Sequence, residues 1–358
     1  MDETLTTSGI PFGQFMRQAL YGAGGYYETT VQIGQGGGDF YTAAQLSLFA
    51  DVLQRYILRT WRAWSEPERL QIVELGAGQG ELASRLCDWL SRLPHVAIKY
   101  VIIEPSAHLR TKQQDRLRAW TTGDSDAANR LDVCWGSPDA DMETVLLANE
   151  VLDALPVERV RRNPRGWQQA FVRASKDGQH SLQWRAASAD IEQLAQQWLP
   201  IPSGTEAEIC PDLWPLFARC TGYGRRLRAL FFDYGITLDE WRAGVRPKGT
   251  VRGYRQHQIV DPLEHPGRSD ITADVHWACA MDAARAAGFD DVRLTPQGRF
   301  LIDEGILDAL EVAQSAQVDA DGAHDWLRHA ALMGQFKRLV LPEGMGERFS
   351  VLECSKDE

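Results

Sequence analysis

The segment at residues 71–81, Gln-Ile-Val-Glu-Leu-Gly-Ala-Gly-Gln-Gly-Glu, constrains the fold more than any other part of the sequence. The segment Leu70–Leu75 is strand-like and predicts a buried strand. It ends at three glycines, Gly76, Gly78 and Gly80, which precede a segment with helical spacing. Because glycine has no side chain, the chain can turn sharply here, and a ligand can approach the backbone beside the free N–H groups of a helix start. The segment therefore predicts an α/β sheet with a nucleotide-type ligand at this turn.

Strand-like and helix-like segments alternate after this turn. Helices are predicted at about 80–93 and 106–119, and strands at Lys99–Glu104, 131–135, Val145–Ala148 and Arg228–Phe232. Strands that alternate with helices of about 10–15 residues indicate βαβ units, whose strands are parallel. We therefore expect an open, doubly wound parallel sheet.

An N-terminal region precedes this alternating core. Apolar residues at helical spacing over 9–21 and 42–64 predict two helices, joined by a glycine-rich loop. We expect a helical region over residues 1–66 that packs on a main domain over residues 67–358.

Two further regions extend the core. The stretch from about 157 to 222 interrupts the alternation with two strand-like pieces, a helix near 189–199 and a proline-rich segment, so it predicts an inserted subdomain between strands four and five. Residues from about 240 to 270 are expected to form an irregular loop. The C-terminal additions are predicted as helices near 273–287, 303–315 and 323–338, and strands near 291–295 and 348–353.

Charge and composition exclude several classes of protein. The 358 residues carry a formal net charge of −11, whereas nucleic-acid binding draws its affinity from clustered Lys and Arg, so we expect no nucleic-acid partner. No apolar run approaches the ~18–20 residues of a membrane-spanning helix. The six cysteines are widely spaced, with neither a CxxC pair nor a His-spaced pattern, which predicts no bound metal and a reducing compartment. The first residues lack the pattern of a secretory or transit peptide, so we expect a cytoplasmic protein.

The glycine turn differs from the dinucleotide-binding pattern GxGxxG, because it reads GxGxG and has an acid, Glu74, two residues before Gly76. A carboxylate here would repel a pyrophosphate but suits the ammonium of S-adenosylmethionine, which has no phosphate. Glu104, at the end of the next predicted strand, can accept hydrogen bonds from both ribose hydroxyls. These residues favour S-adenosylmethionine over a nicotinamide cofactor. The alternatives are a turn that binds nothing and a glutamate that only favours a helix dipole.

The same segments resemble a known family. Glu74–Gly80 together with Glu104–Ser106 resembles class I methyltransferases, and residues 149–156, Asn-Glu-Val-Leu-Asp-Ala-Leu-Pro, are similar to the signature of their MidA branch. The resemblance spans nearly the whole chain, although Tyr-Thr-Ala-Ala at 41–44 stands where the family pattern has Thr-Ala-Pro. It implies a Rossmann-like class I methyltransferase sheet with S-adenosyl-L-methionine as cofactor. Since the family includes a mitochondrial complex I assembly factor described as a protein arginine methyltransferase, it also implies an arginine side chain of a protein as methyl acceptor.

The residues expected to bind the cofactor are Glu74, Gly76, Gly78, Gly80, Glu104, Ser137 and Asn149. Ser137 follows the third predicted strand, where adenine is contacted in this fold class by analogy. Asn149 ends the fourth strand, at the carboxyl edge where open α/β sheets bind their ligands.

The predicted catalytic residues are Asn149, Glu150 and Asp153. Methyl transfer needs a nucleophile held in line with the sulfonium. Carboxylates pair bidentately with a guanidinium, so Glu150 and Asp153 suit an arginine acceptor. Asn149 would face the cofactor or orient the acceptor nitrogen. The alternative is a short helix capped by Asn149, with both acids in its first turn.

Further residues are predicted to line the acceptor pocket or to form a lid: Asp39, Tyr41, Asp233, His257 and Asp270. The first two follow the glycine-rich loop, and Asp233 ends the fifth strand. His257, as a proton acceptor, and Asp270 lie in the loop after that strand. For each of them a structural role in a turn or a hydrogen-bond network is the alternative.

Other functions stay open at this point. An assembly or chaperone-like module for a respiratory or other partner protein would retain the cofactor fold, and a methyltransferase for a small molecule would carry the same motifs. We expect a protein substrate, and a homodimer is compatible with the sequence. The insertion would then serve partner recognition or dimerisation.

Overall fold

The computed structural model describes residues 9–29, 42–121, 131–175, 177–315 and 326–357. The N-terminal part forms a short strand and three helices: β1 (Ile10–Pro11), α1 (Phe12–Tyr21), α2 (Tyr26–Thr29) and α3 (Ser47–Ala63). In α3 the apolar residues Phe49, Leu53 and Ile57 follow helical i, i+4 spacing and are buried in the core beside the main sheet. The predicted N-terminal helices are confirmed.

The alternating segment forms the first half of the main sheet: β2 (Arg69–Leu75), α4 (Glu81–Leu90), β3 (Ala97–Ile103), α5 (Ala107–Arg116), α6 (Arg118–Thr121), β4 (Leu131–Trp135) and β5 (Glu143–Asn149). Helix α5 begins after Ser106, whose hydroxyl accepts the Leu109 N–H. Strands β2 and β5 are buried on both faces, which explains the consecutive apolar residues Ile72–Val73 in β2 and Val145–Ala148 in β5.

The insertion follows β5 and consists of β6 (Glu158–Asn163), β7 (Gly166–Ala174), β8 (His180–Ala186), α7 (Ala189–Trp198), β9 (Glu206–Ile209) and α8 (Leu213–Cys220). Its four strands and β1 form one antiparallel sheet, in which β7 pairs with β1, β6 and β8. The N-terminal strand therefore belongs to the same sheet as the insertion.

The rest of the chain completes the main sheet and adds the C-terminal helices: β10 (Arg226–Ile236), α9 (Leu238–Ala243), β11 (Arg252–Arg255), β12 (Gln258–Val260), β13 (Asp270–Thr272), β14 (Val275–His276), α10 (Trp277–Ala286), β15 (Asp291–Pro296), α11 (Gln297–Asp303), α12 (Ile306–Ser315), α13 (Trp326–Val340) and β16 (Phe349–Lys356). The insertion between the fourth and fifth strands and the C-terminal helical additions are thus as predicted.

The main sheet has the order β4-β3-β2-β5-β10-β16-β15, and β14 pairs with the end of β10. Strands β2, β3, β4, β5 and β10 are parallel, whereas β16 is antiparallel to both of its neighbours. From β2 the chain winds outward to β3 and β4 and then returns to the other side at β5. Ligands of doubly wound sheets bind at such a reversal, outside the carboxyl ends of the strands. The predicted fold class is confirmed, and the site is expected beyond β2 and β5.

Both faces of the sheet are covered, because successive side chains of a strand point to opposite faces. Val145 and Leu147 face the core that contains α3, α4 and the C-terminal helices. Leu146 and Ala148 face the core that contains α1, the insertion, α8 and α10. The N-terminal helices therefore lie on opposite faces of the same sheet.

The stretch at 240–270 is more regular than predicted. Helix α9 starts at a capping box between Thr237 and Glu240, and β11 pairs with β12 and β13 in a small antiparallel sheet. The hairpin turns at Gln256 and His257, with φ of +50° and +61°. Such tight turns prefer Asn and Gly, so these two residues gave no turn signal.

Two smaller corrections concern helices. The helix predicted at 303–315 corresponds to α12, which begins at Ile306 after Gly305 with φ of +84°, and α11 before it was not predicted. The proline-rich part of the insertion contains β9 and the start of α8, neither of which was predicted.

In the described part of the chain, no helix is both long and apolar enough to cross a bilayer. No group of three or more His, Cys, Asp or Glu side chains in these residues is arranged to hold a metal ion. All six cysteines are free thiols, and each except the half-buried Cys134 is buried.

Candidate active site

The glycine turn joins β2 to α4 at the carboxyl edge of the sheet. Gly76, Gly78 and Gly80 have φ of +60°, +54° and +82°, a region that other residues rarely adopt. The Gly76 N–H donates to the carbonyl of Ile103 (3.0 Å), which fixes the turn against the end of β3. A Cβ atom on Gly76 would lie 3.1 Å from Cγ2 of Val151, so the turn also packs closely on the segment after β5. The turn presents bare backbone at the start of α4.

Glu74 lies beneath the turn and is 4% exposed. Its Oε2 accepts the Tyr100 hydroxyl at 2.6 Å, on the face of the sheet that packs against α4. Burial raises the pKa of Glu74 to about 7, and the Tyr100 hydrogen bond opposes that rise. A contact between Glu74 and a ligand stays a prediction.

Glu104 follows β3 and is joined to the turn by a glutamine. Its Oε1 accepts the Ser106 N–H (3.0 Å), and its Oε2 accepts Nε2 of Gln113 (3.1 Å). The same Nε2 donates to the Gly78 carbonyl (2.8 Å), and Oε1 of Gln113 accepts the indole N–H of Trp135 (2.8 Å). Gln113 therefore connects the glycine turn, Glu104 and the end of β4. Burial raises the pKa of Glu104 to about 7.

Asn149 ends β5 with one amide atom bonded and the other free. Its Nδ2 donates to the Thr42 hydroxyl (2.8 Å) and to Oε1 of Glu150 (3.0 Å). Its Oδ1 is buried and accepts no hydrogen bond from the described residues. A buried acceptor without a donor is costly. This atom is therefore suited to accept a hydrogen bond from a ligand.

Glu150 has φ of +54°, which is rare for a residue with a side chain. Its N–H donates to the Phe232 carbonyl (2.8 Å), and this bond holds the strained residue against β10. Burial raises the pKa of Glu150 to about 7; nearby Asp153 raises it further, and hydrogen bonds from Thr42 and Asn149 lower it. The strained residue, Glu150, is one of the three that the sequence predicted to be catalytic.

Asp233 holds the segment that follows Glu150. It is fully buried; its Oδ2 accepts the N–H groups of Leu152 (2.9 Å) and Asp153 (3.1 Å), and its Oδ1 accepts the Tyr234 N–H (3.0 Å). Its pKa is raised, first by burial and then by the charges of Asp153 and Glu150. The Asp233 carboxylate thus supports the backbone, and its place in the lining of the acceptor pocket stays a prediction.

Asp153 lies three residues after Glu150 and is 5% exposed. Burial raises its pKa to about 6, while a hydrogen bond from the Tyr234 hydroxyl lowers it. Residues 151–157 form turns rather than a helix, so the alternative in which Asn149 caps a short helix is wrong.

Two tyrosines of the N-terminal segment, Tyr21 and Tyr27, pack beside the acidic side chains of the site. The rings of Tyr21 and Tyr27 stack with centroids 5.3 Å apart. The Tyr27 hydroxyl donates to Oδ1 of Asp270 (3.1 Å), and the Tyr27 carbonyl accepts the Ser106 hydroxyl (2.7 Å). The segment thus joins the Glu104 side of the site to β13. Asp270 is buried in β13, and its role in the acceptor pocket or a lid stays a prediction.

Two of the remaining predicted residues occupy exposed positions. His257 is exposed at the tip of the β11–β12 hairpin, and Ser137 is exposed after β4. Asp39 and Tyr41 lie outside the described residues. The roles proposed for these four residues stay predictions.

A family of proteins described as "putative S-adenosyl-L-methionine-dependent methyltransferase" matches residues 52–295, which is more than half of the chain. The chain belongs to this family. It is an S-adenosylmethionine-dependent methyltransferase, as the sequence predicted.

Similarity to individual methyltransferases extends over nearly the whole chain. The mitochondrial protein arginine methyltransferase NDUFAF7 of Danio rerio is 29% identical over 380 residues, which cover 98% of this chain and 85% of the relative. The protein of the same name from Homo sapiens is 26% identical over 370 residues, which cover 96% and 80%. These relatives confirm the predicted MidA-type family.

Two solved structures share the fold. A Burkholderia thailandensis protein bound to S-adenosyl-homocysteine is 31% identical, with a TM-score of 0.83 over 97% of this chain and 88% of that one. A native crystal structure from the same organism is 30% identical, with a TM-score of 0.81 over 97% and 87%.

The described residues fit S-adenosylmethionine. The bare glycine turn admits a ligand against the backbone, and each carboxylate oxygen of Glu104 has a lone pair left for a ribose hydroxyl. The unpaired Oδ1 of Asn149 can accept a hydrogen bond at the carboxyl end of β5.

Sequence reasoning missed Gln113 and Tyr27. Gln113 occupies the middle of a buried stripe with Leu109 and Leu117 on the helix after Glu104. A polar residue at an apolar position of such a stripe is the signal that could have identified it. Tyr27 belongs to an N-terminal segment that is distant in sequence from Asp270, and spacing alone gives no sign of that contact.

Proposed function

We propose that this methyltransferase transfers a methyl group to an arginine side chain of a protein. The observation that carries the proposal is the pair Glu150 and Asp153, two carboxylates at the carboxyl end of β5. The largest effects on the pKa of either group come from burial, hydrogen bonds and neighbouring carboxylates rather than from a Lys or Arg. A guanidinium brings the missing positive charge, and its planar donors match carboxylates. The names of the curated relatives support the same acceptor.

The chemistry follows from where these residues lie. S-adenosylmethionine supplies an electrophilic methyl group on a sulfonium. Glu150 binds the guanidinium and accepts its proton as the new N–C bond forms, and a pKa of about 7 suits a group that gains a proton near neutral pH. Asp153 accepts hydrogen bonds from a second edge of the same guanidinium. Oδ1 of Asn149 accepts an N–H of the reacting nitrogen or of the cofactor ammonium and so fixes its direction.

Other residues bind the cofactor, position the catalytic segment or exclude water. Gly76, Gly78 and Gly80 bind the cofactor through their backbone, and Glu104 binds the ribose hydroxyls. Asp233 positions the Glu150–Asp153 segment through three backbone N–H groups. Stacked Tyr21 and Tyr27 exclude water from the side of the site near Asp270. A cytoplasmic location and a homodimer stay predictions, and the curated relatives are named as mitochondrial.

The test measures transfer of a labelled methyl group to proteins in an extract of a strain that lacks the gene. After acid hydrolysis, chromatography of the amino acids should place the label in methylarginine. Glu150→Gln should lower the transfer at least about tenfold, since the acceptor for the proton is lost. The control is Glu143→Gln at the opposite end of β5, where the carboxylate pairs with Arg225 far from the carboxyl edge. This control should retain transfer.

The label would contradict the proposal if it appeared only in small molecules or in another amino acid. Equal transfer by wild type and Glu150→Gln would remove this carboxylate from the mechanism.

A further inference from the structure

A cleft of about 280 Å³ opens beside the site, between the end of β10, the segment after α9 and the start of β16. Three arginines line it: Arg246, Arg252 and Arg348. Two of them lie over Tyr234, whose ring is 5.7 Å from the Arg252 guanidinium and 5.6 Å from the Arg348 guanidinium. The methyl-transfer chemistry described above uses none of these arginines.

Arg252 has its donors occupied. It pairs with Asp274, a carboxylate that is 6% exposed, and its Nε donates to the Thr250 carbonyl (3.1 Å). It therefore holds the floor of the cleft together, and its charge is largely compensated by Asp274.

Arg246 and Arg348 have donors to spare. The nearest approach of Arg246 to a carboxylate is 3.9 Å, from its Nε to Oδ2 of Asp274, which is beyond hydrogen-bond distance. Arg348 forms no hydrogen bond or ion pair with any described residue; its guanidinium lies over the Tyr234 ring, and its charge lowers the pKa of Asp274. Both side chains are exposed, so a ligand can reach them.

Two further acids line the cleft, and neither neutralises these arginines by contact. Glu240 accepts the N–H and the hydroxyl of Thr237, both at 2.8 Å, and so serves the start of α9. Glu347 is exposed and forms no ion pair with a described residue. The free donors of these two guanidiniums favour a carboxylate ligand.

Tyr234 connects the cleft to the catalytic acids. Its hydroxyl oxygen lies 2.7 Å from Oγ1 of Thr272 and within hydrogen-bond distance of Asp153. Its ring is covered by Arg252 and Arg348, so of the two arginines with free donors Arg348 lies directly against it. A peptide with one side chain at Asp153 would therefore have neighbouring side chains within reach of the cleft.

We propose that this cleft binds a carboxylate side chain of the methyl-acceptor protein, on the same segment as the methylated arginine. The inference rests on the proposed function, because it takes the acceptor to be a protein. Arg246 and Arg348 form charge-assisted hydrogen bonds with that carboxylate and so select acidic sequences around the acceptor.

The test is a binding measurement that requires no turnover. Fluorescence anisotropy is used with two short labelled peptides, each with one arginine, flanked by glutamates in one and by glutamines in the other. Wild type should bind the glutamate peptide about tenfold more tightly, and added salt should reduce the difference. Arg246→Glu and Arg348→Glu should each abolish the preference, and the double variant should prefer a lysine-flanked peptide.

The matched control is Arg242→Glu on α9, an exposed arginine that pairs with Asp239 and does not line the cleft. This variant should keep the preference of wild type. Equal binding of both peptides by wild type, or the same loss in Arg242→Glu, would overturn the proposal. If methylarginine forms without any acidic preference, the cleft is refuted and the proposed function stands. If the preference follows the arginines but the label never enters arginine, the proposed function fails and the cleft proposal survives as a binding site.

Discussion

Replacing Asp153 by asparagine should make the protein more stable above about pH 6 while it lowers methyl transfer. The Asp153 side chain is 5% exposed, and its pKa is raised from 3.8 to about 6, first by burial and then by the charge of Asp274. The fold therefore disfavours the charged form that the chemistry requires. Sites that are built for function often carry such a cost in stability.

The magnitude follows from the pKa shift. A rise of ~2 units corresponds to ~3 kcal/mol at ~1.4 kcal/mol per unit. Because the folded pKa is raised, the contribution of Asp153 to stability is full below its ordinary pKa, falls as the pH rises towards about 6 and stays low above it. Asparagine does not titrate, so the advantage of the variant should grow across this window and then remain constant. The new amide donor can bond the Tyr234 hydroxyl. With this taken into account, we expect the free energy of unfolding of the variant to exceed that of wild type by ~1–2 kcal/mol above about pH 6.

The measurement compares urea unfolding of wild type and Asp153→Asn between about pH 4 and about pH 8, together with labelled methyl transfer. The variant should bind S-adenosylmethionine within about twofold of wild type and transfer methyl groups at least about tenfold more slowly. Asp141→Asn, on an exposed residue before β5, should change neither property. A variant that was less stable near pH 7 and fully active would refute the reasoning, because Asp153 would then only support the loop.

Three further changes test the cofactor side. Gly78→Val should abolish S-adenosylmethionine binding in a folded protein, because a branched residue does not tolerate φ of +54° and would project into the ligand; calorimetry that shows unchanged affinity would contradict this. Glu104→Ala should weaken binding roughly 30–150-fold, for a loss of ~2–3 kcal/mol in charged hydrogen bonds, and an unchanged dissociation constant would assign the residue a structural role. Gln113→Leu should weaken binding roughly tenfold and lower stability by ~2–4 kcal/mol, since three bonded groups lose their partner; exposed Gln114→Leu is the control, and equal effects of the two changes would argue against the bridge.

The parallel sheet could be predicted because its signals are local. The apolar run before Gly76 and the helical spacing after Gly80 fix β2 and α4, and each later βα unit repeats the pattern. The same is true of the positions of Glu104 and Asn149, which follow from the strand that precedes each of them.

What escaped prediction depends on contacts between distant segments or on unusual backbone. The contact of Tyr27 with Asp270 joins residues 243 positions apart. The hairpin at Gln256 and His257 uses left-handed residues that turn statistics do not favour. Asp233 lies near the end of its strand as predicted. Only the folded chain shows that its carboxylate accepts hydrogen bonds from backbone N–H groups of the segment after β5.

The pairing of β1 with β7 has a consequence for the order in which the protein can form. Ile10 and Pro11 are among the first described residues, yet they pair with Val172 and Phe171 in the insertion. On the ribosome, the N-terminal strand and the tyrosines behind it must wait until more than 160 residues have followed before their partner strand exists. Closing so long a loop is slow compared with forming the local βα units, so the wall of the active site that contains Tyr27 should be among the last parts to assemble. The sheet with its glycine turn would then be complete while the site is still open on that side, and the final step of folding would also be the step that closes the enzyme.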